Sequence, residues 1–237
     1  IHGNLTISGS GAGNTIIDAA LLDRVFHVFP GATLTLQNLT IQNGSAFDGG
    51  GIFNEGSLIL RNVNVRMNAA GNQGGGIYNT GTLTVTGSAI IENVAGSRGG
   101  AVHNLGVSSY LNTTISSNVA VSRGGGIFNE GAVTATMINT TIVDNAAGSR
   151  GGGIASESAT ATSLGNSLLE RNKTDARVPV TLASTLQDLM GGVKSLGFNS
   201  VQVLDTRYTT GNAAGLIASD KFGRDAAPRP VMTNALQ

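Results

Sequence analysis

Cysteine and tryptophan are missing altogether from this 237-residue chain, proline occurs four times, and the aromatic residues make up only 4%. Without cysteine there is no disulfide, no thiolate metal site and no cysteine nucleophile. The compartment stays open, because a chain without cysteine can serve on either side of a membrane. Charge is scarce too: 14 basic and 14 acidic residues cancel to a formal net charge of zero. So balanced a chain offers no basic surface for nucleic acid or anionic lipid. No apolar run approaches the roughly 20 residues that a helix needs to span a bilayer, so no transmembrane segment is expected. The chain opens at Ile1 without Met or a signal-peptide pattern, and the expectation is a processed product or an ordered fragment of a longer precursor.

Glycine, by contrast, occupies 35 positions, and much of it belongs to one repeated phrase. GGGIFN ends at Asn54, GGGIYN at Asn79, GGAVHN at Asn104, GGGIFN at Asn129 and a degenerate GGGIAS at Ser156, advancing by 25, 25, 25 and 27 residues. A second phrase, an aliphatic residue followed three positions later by Asn, keeps the same beat at Asn68, Asn93, Asn118, Asn145 and Asn172. Two phrases locked in phase are the mark of a repeat architecture.

Within each unit apolar residues alternate, as in Leu58, Leu60, Val63 and Val65, which is strand periodicity in residues suited to a pleated surface. Recurrent glycines exclude helical repeats. A propeller blade needs about 40 residues for four strands, whereas 25 residues fit about three short strands and three bends. The chain is therefore expected to be all-β, a right-handed single-stranded parallel β-helix with about 25 residues per turn. Residues 1–48 read as irregular first turns, 49–172 as regular repeats, and 173–237 as irregular final turns with an extended tail. Asn4-Leu5-Thr6-Ile7 echoes Asn38-Leu39-Thr40-Ile41 at an offset of 34, implying an insertion around Ala19 to Arg24. Ser184 to Met190 reads as one short capped helix.

Stacking such turns about 4.8 Å apart aligns Asn54, Asn79, Asn104 and Asn129 as one amide ladder, and Asn68, Asn93, Asn118, Asn145 and Asn172 as a second. These asparagines are read as structural, satisfying polar groups at bends.

The stretches NLTISGSGAGNTIID, RVFHVFPGATLTLQNLTIQNG, GGGIFNEG and GGGIYNTG, with DKFGRDAAPRPVMTNAL inside the tail Ser219–Leu236, resemble the right-handed parallel β-helix repeats of bacterial and archaeal secreted surface proteins. This is the pectate-lyase-like class in its polymorphic-outer-membrane-protein-like branch. The resemblance implies a surface, adhesion or matrix protein without catalytic activity, and speaks to fold more than to function.

Chemistry is sparse. The repeat region holds the carboxylates Asp48, Glu55, Glu92, Glu130, Asp144, Glu157 and Glu170. Glu55 and Glu130 share a column three turns apart, on the order of 14 Å, too far for a glycosidase pair. Arg98, Arg123 and Arg150 stack, each in a Ser-Arg-Gly-Gly setting. They read as a solvated outer bend, as a stripe for acidic glycans, or as a contact to acidic residues of another subunit. His2, His27 and His103 share no metal-ligand spacing, and His103 takes the place of the Phe or Tyr of the repeat. The triple glycines lack the Lys-Ser/Thr of a phosphate loop. No cofactor or metal is implied. Glycosylation sequons occur at Asn4, Asn38, Asn43, Asn112, Asn139 and Asn172.

These features favour an extracellular structural or surface protein that assembles end to end into fibres or a matrix. A carbohydrate-binding adhesin is the alternative, and a polysaccharide lyase or hydrolase the third reading.

Overall fold

A computed structural model describes residues 1–131, 133–157, 162–174, 189–190, 193–201 and 221–222. These residues form an all-β parallel solenoid whose strands fall into three sheets, A with 15 strands, B with seven and C with six. Each turn, or rung, contributes the GGGIFN strand to sheet B, then two consecutive segments to sheet A, then a short strand to sheet C. All pairs are parallel, and the register equals the sequence period: Asn54 lies beside Asn79, Asn79 beside Asn104, and Asn104 beside Asn129.

Alternation decides what fills the coil. From sheet A, Leu58, Leu60, Val63 and Val65 point inward with no exposure, and Leu83, Val85 and Ile90 continue the same columns. From sheet B, Ile52, Ile77, Val102, Ile127 and Ile154 stack likewise. Each such side chain contributes about 1.5–3 kcal/mol by leaving water. Tyr110 is the largest intruder; it lies between Val85 and Met137 and is accommodated beside the small Ser108 and Ala135.

The bends explain the glycines. Gly99 has φ +67, the left-handed region that L side chains avoid. Gly100 faces the next rung so closely that a Cβ there would lie 2.2 Å from the Gly125 carbonyl oxygen. One glycine supplies the turn and the other the close approach.

The first rung departs from the expected alignment. Asn4 pairs with Thr33 and Ser8 with Gln37, while Ile16 pairs with Thr40. Eight positions from Ser8 to Ile16 thus lie opposite three from Gln37 to Thr40, and the five extra residues sit in the bend at 9–15. The echo at offset 34 is coincidental, and the insertion is not at Ala19 to Arg24. That segment instead tracks the next rung, with the Leu21 amide donating to the Asn43 carbonyl and the Ser45 amide to the Asp23 carbonyl.

At the other end, Leu189–Met190 form a strand beside Ile154 and Ala155, so the expected helix does not extend over them; its first residues, 184–188, lie outside the described residues. Val193–Gly197 and Ser200–Val201 are strands of sheet A, and Lys221–Phe222 add a further strand there. The prolines at 179, 228 and 230 lie outside the described residues. Among the described residues no helix is long and apolar enough to cross a membrane.

Candidate functional site

The two inner ladders form as their spacing predicts. Asn54 Nδ2 donates to Asn79 Oδ1 at 2.6 Å, Asn79 to Asn104 at 2.8 Å and Asn104 to Asn129 at 3.0 Å. At Ser156 the series continues through Oγ, 3.2 Å from Asn129 Nδ2. At its start Asn54 Oδ1 has no donor, because the preceding rung places Val28 there. The second ladder runs from Asn68 through Asn93, Asn118 and Asn145 to Asn172 at 2.9–3.0 Å. From Asn93 to Asn172 each Oδ1 also accepts from the backbone amide of the Asn one rung earlier, and Asn68 Oδ1 accepts from the Gly44 amide. All nine asparagines are buried.

A third amide column stands outside the coil, at the bend between the two segments of sheet A. Asn38, Asn62, Asn112, Asn139 and Asn166 are left-handed there, with φ between 46 and 53, and Gly87 replaces the asparagine in the middle. Asn62 Nδ2 reaches Asn38 Oδ1 at 3.1 Å, Asn139 Nδ2 reaches Asn112 at 3.0 Å, and Asn166 Nδ2 reaches Asn139 at 2.7 Å. Asparagine tolerates this conformation and can bond locally. Three sequons, at Asn38, Asn112 and Asn139, are therefore a by-product of the bend, with the Thr two positions on beginning the next strand segment. The other sequons scatter. Asn172 is buried in the inner ladder, where a glycan has no room; Asn43 donates to Asp18 Oδ2 at 2.9 Å; Asn4 is exposed in the first strand.

The chemically varied surface is the outer face of sheet B, where three columns run side by side. The central one is His27, Phe53, Tyr78, His103, Phe128 and Ala155. Neighbouring rings lie 4.9–5.2 Å apart, centroid to centroid, and Phe29 and His2 extend the stack beyond His27. On one side stand Asp48, Gln73, Arg98, Arg123 and Arg150. On the other stand Glu55, Thr80, Leu105, Glu130 and Glu157, whose amides donate to successive rungs.

Arg98 and Arg123 do not form a solvated bend. Arg98 Nη1 lies 3.2 Å from Glu130 Oε1, and Arg123 Nη1 lies 3.2 Å from Glu157 Oε1. Each guanidinium crosses the Phe128 ring at 5.1 Å on the way, an arrangement that adds cation–π attraction. These straps seal the rings beneath: Phe128 and His103 point out of the coil, yet neither is exposed. Arg98 and Arg123 thus find their acidic partners one rung ahead in the same chain. Arg150 stands beside Arg123 in the same column.

His103 Nε2 lies 2.7 Å from Glu130 Oε2, so Glu130 is held by both His103 and Arg98. His103 Nδ1 is buried without a partner. A neutral ring with its proton on Nε2 suits this site, since protonation would strand a second N–H donor in the interior. Burial accordingly pushes the His103 pKa down to about 4 despite the pull of Glu130. His27 and Glu55 repeat the pair at 2.7 Å, but with both side chains about a third exposed. Burial, with Asp48 and Glu130 nearby, raises the Tyr78 pKa. At the Tyr78 rung Gln73 and Thr80 occupy the strap positions, leaving the ring edge half-buried.

The remaining carboxylates are scattered. Asp144 is held by Arg171 at 2.7 Å, which keeps its pKa low, and Arg171 also reaches Glu170. Glu92 occupies a left-handed bend position, and Asp48 Oδ1 accepts from Asn72 Nδ2 and the Gln73 amide. Among the described residues no three of His, Asp and Glu converge as metal ligands.

No family model, no curated protein and no solved structure matches the chain.

Proposed function

We propose that this chain is an extracellular structural or surface rod of the pectate-lyase-like kind, in the polymorphic-outer-membrane-protein-like branch, and that it works without catalysis by associating end to end. The observation that carries the reading is the use of its polar chemistry: arginines, histidine and glutamates on the outer face of sheet B are bonded to one another across rungs. An enzyme leaves such groups convergent on a cleft. Mid-rod rungs adhere through backbone bonds and like-on-like side chains, an interface indifferent to whether the next rung belongs to the same chain. Electron microscopy of purified protein at neutral pH tests the assembly. Filaments are expected, and dispersed monomers at every concentration would refute it.

One observation favours a second reading, an adhesin that binds glycans. At Tyr78 the strap is missing and the flanks, Gln73 and Thr80, are neutral. Loss of glycan-array signal in Tyr78→Ala, with the circular dichroism spectrum unchanged, would support it; a wild-type chain silent on the array would remove it.

A further inference from the structure

Among the described residues, the first segment of sheet A presents an outward surface rich in threonine over five rungs. One column runs Thr33, Ser57, Thr82, Val107 and Thr134, each residue directly beside the next. The column two positions along each strand runs Thr35, Ile59, Thr84, Ser109 and Thr136 in the same register. Threonine pairs occupy alternate rungs, with Thr35 buried at 9% exposure where the first strand covers it, and Val107, 52% exposed, has the shape of threonine. None of these ten residues is charged; Arg61 stands beyond them in a third column, next to Gln37 and Thr86, and Lys194 ends the second column two rungs past Thr136.

Parallel pairing fixes the spacing. Side-chain positions repeat about 4.8 Å from rung to rung and about 6.7 Å along each strand, over roughly 19 Å of rod; all of the ten but Ile59 and Val107 carry a hydroxyl, and all but Ser57 and Ser109 are branched at Cβ. β-branching restricts χ1 at all of these positions but Ser57 and Ser109, so most of the array is ordered before anything binds. Such a two-dimensional repeat is close to that of water molecules on the prism face of ice. Methyls constrain first-layer water, hydroxyls anchor it, and no ion stands among these ten positions to compete for it.

We propose that this threonine-rich facet binds ice. The idea stands apart from the assembly reading, since it needs only one chain. The test is thermal hysteresis and ice shaping with the whole chain, beside Thr84→Lys in the array and Thr114→Lys on the exposed second segment of sheet A, with circular dichroism as the check on folding. A gap between melting and freezing points is expected in the wild type. Thr84→Lys should cut it by at least half while Thr114→Lys leaves it intact. A wild type without hysteresis, or equal loss in both variants, would overturn the proposal. So would a wild-type dimer without hysteresis that Thr84→Lys dissociates, which would assign the facet to a protein partner.

Discussion

His103 makes the stability of the rod depend on pH in a way that one substitution removes. Its imidazole is neutral in the fold, with a pKa of about 4, whereas an unfolded chain protonates the same ring near 6.5. The native state therefore lags behind the unfolded one in taking up a proton, and stability falls as pH drops from about 6.5 to 4. At pH 5 the loss is about 2 kcal/mol, and it approaches about 3 kcal/mol below pH 4. His103→Phe supplies the ring that Phe53 and Phe128 place in the same column and leaves Glu130 to Arg98. Urea midpoints at pH 7 and pH 5, followed by far-UV circular dichroism, give the difference between wild type and variant. Carboxylates such as Asp144 titrate in both proteins and cancel. The variant should be within about 1 kcal/mol of wild type at pH 7 and gain about 2 kcal/mol relative to it at pH 5. Equal pH dependence in the two proteins, or the His103 imidazole resonance, identified by its loss in His103→Phe, titrating near 6.5, would refute the reasoning.

Three further substitutions probe the ladders and the core. Asn104→Ala strips Asn79 of its acceptor and Asn129 of its donor in the interior, so the urea midpoint should report a loss of about 2–4 kcal/mol. Gly87→Asn should stabilise by about 0.5–1 kcal/mol in the same assay, because it joins the two halves of the outer column at a φ of +58 that asparagine accepts. A Cβ there meets only Asn62 Oδ1, at 2.7 Å, the movable end of a side chain. Tyr110→Phe should be neutral or stabilise by up to about 1 kcal/mol in thermal melts, since neither the buried phenol oxygen nor Ser108 Oγ makes a well-formed hydrogen bond. A marked loss would reveal a partner such as an internal water.

Period and register were legible because each rung repeats the one before it. Once Asn54 and Asn79 are 25 residues apart in identical phrases, nearest-neighbour stacking aligns every inner residue as well. The straps were not legible. Arg98 and Glu130 are 32 positions apart, and nothing in the one-dimensional pattern says that a guanidinium crosses a ring and ends on the following rung. His27 escaped as a member of the aromatic column because its own rung lacks the glycine phrase. The outer amide column was hidden behind its resemblance to sequons. The first rung was misaligned for a physical reason: four matching residues at Asn4 and Asn38 weigh little against strand pairing, which tolerates five extra residues in a bend.

Because every backbone bond between rungs runs along the axis, the molecule has a definite response to being pulled. Tension applied through the chain ends passes through every rung but would break the bonds of one terminal turn at a time, peeling the coil from its extremity. Each detached turn of 25 residues releases about 85 Å of slack, against the roughly 4.8 Å it occupied. Such a rod yields in small steps and lengthens greatly before it breaks, the behaviour of an energy-absorbing tether.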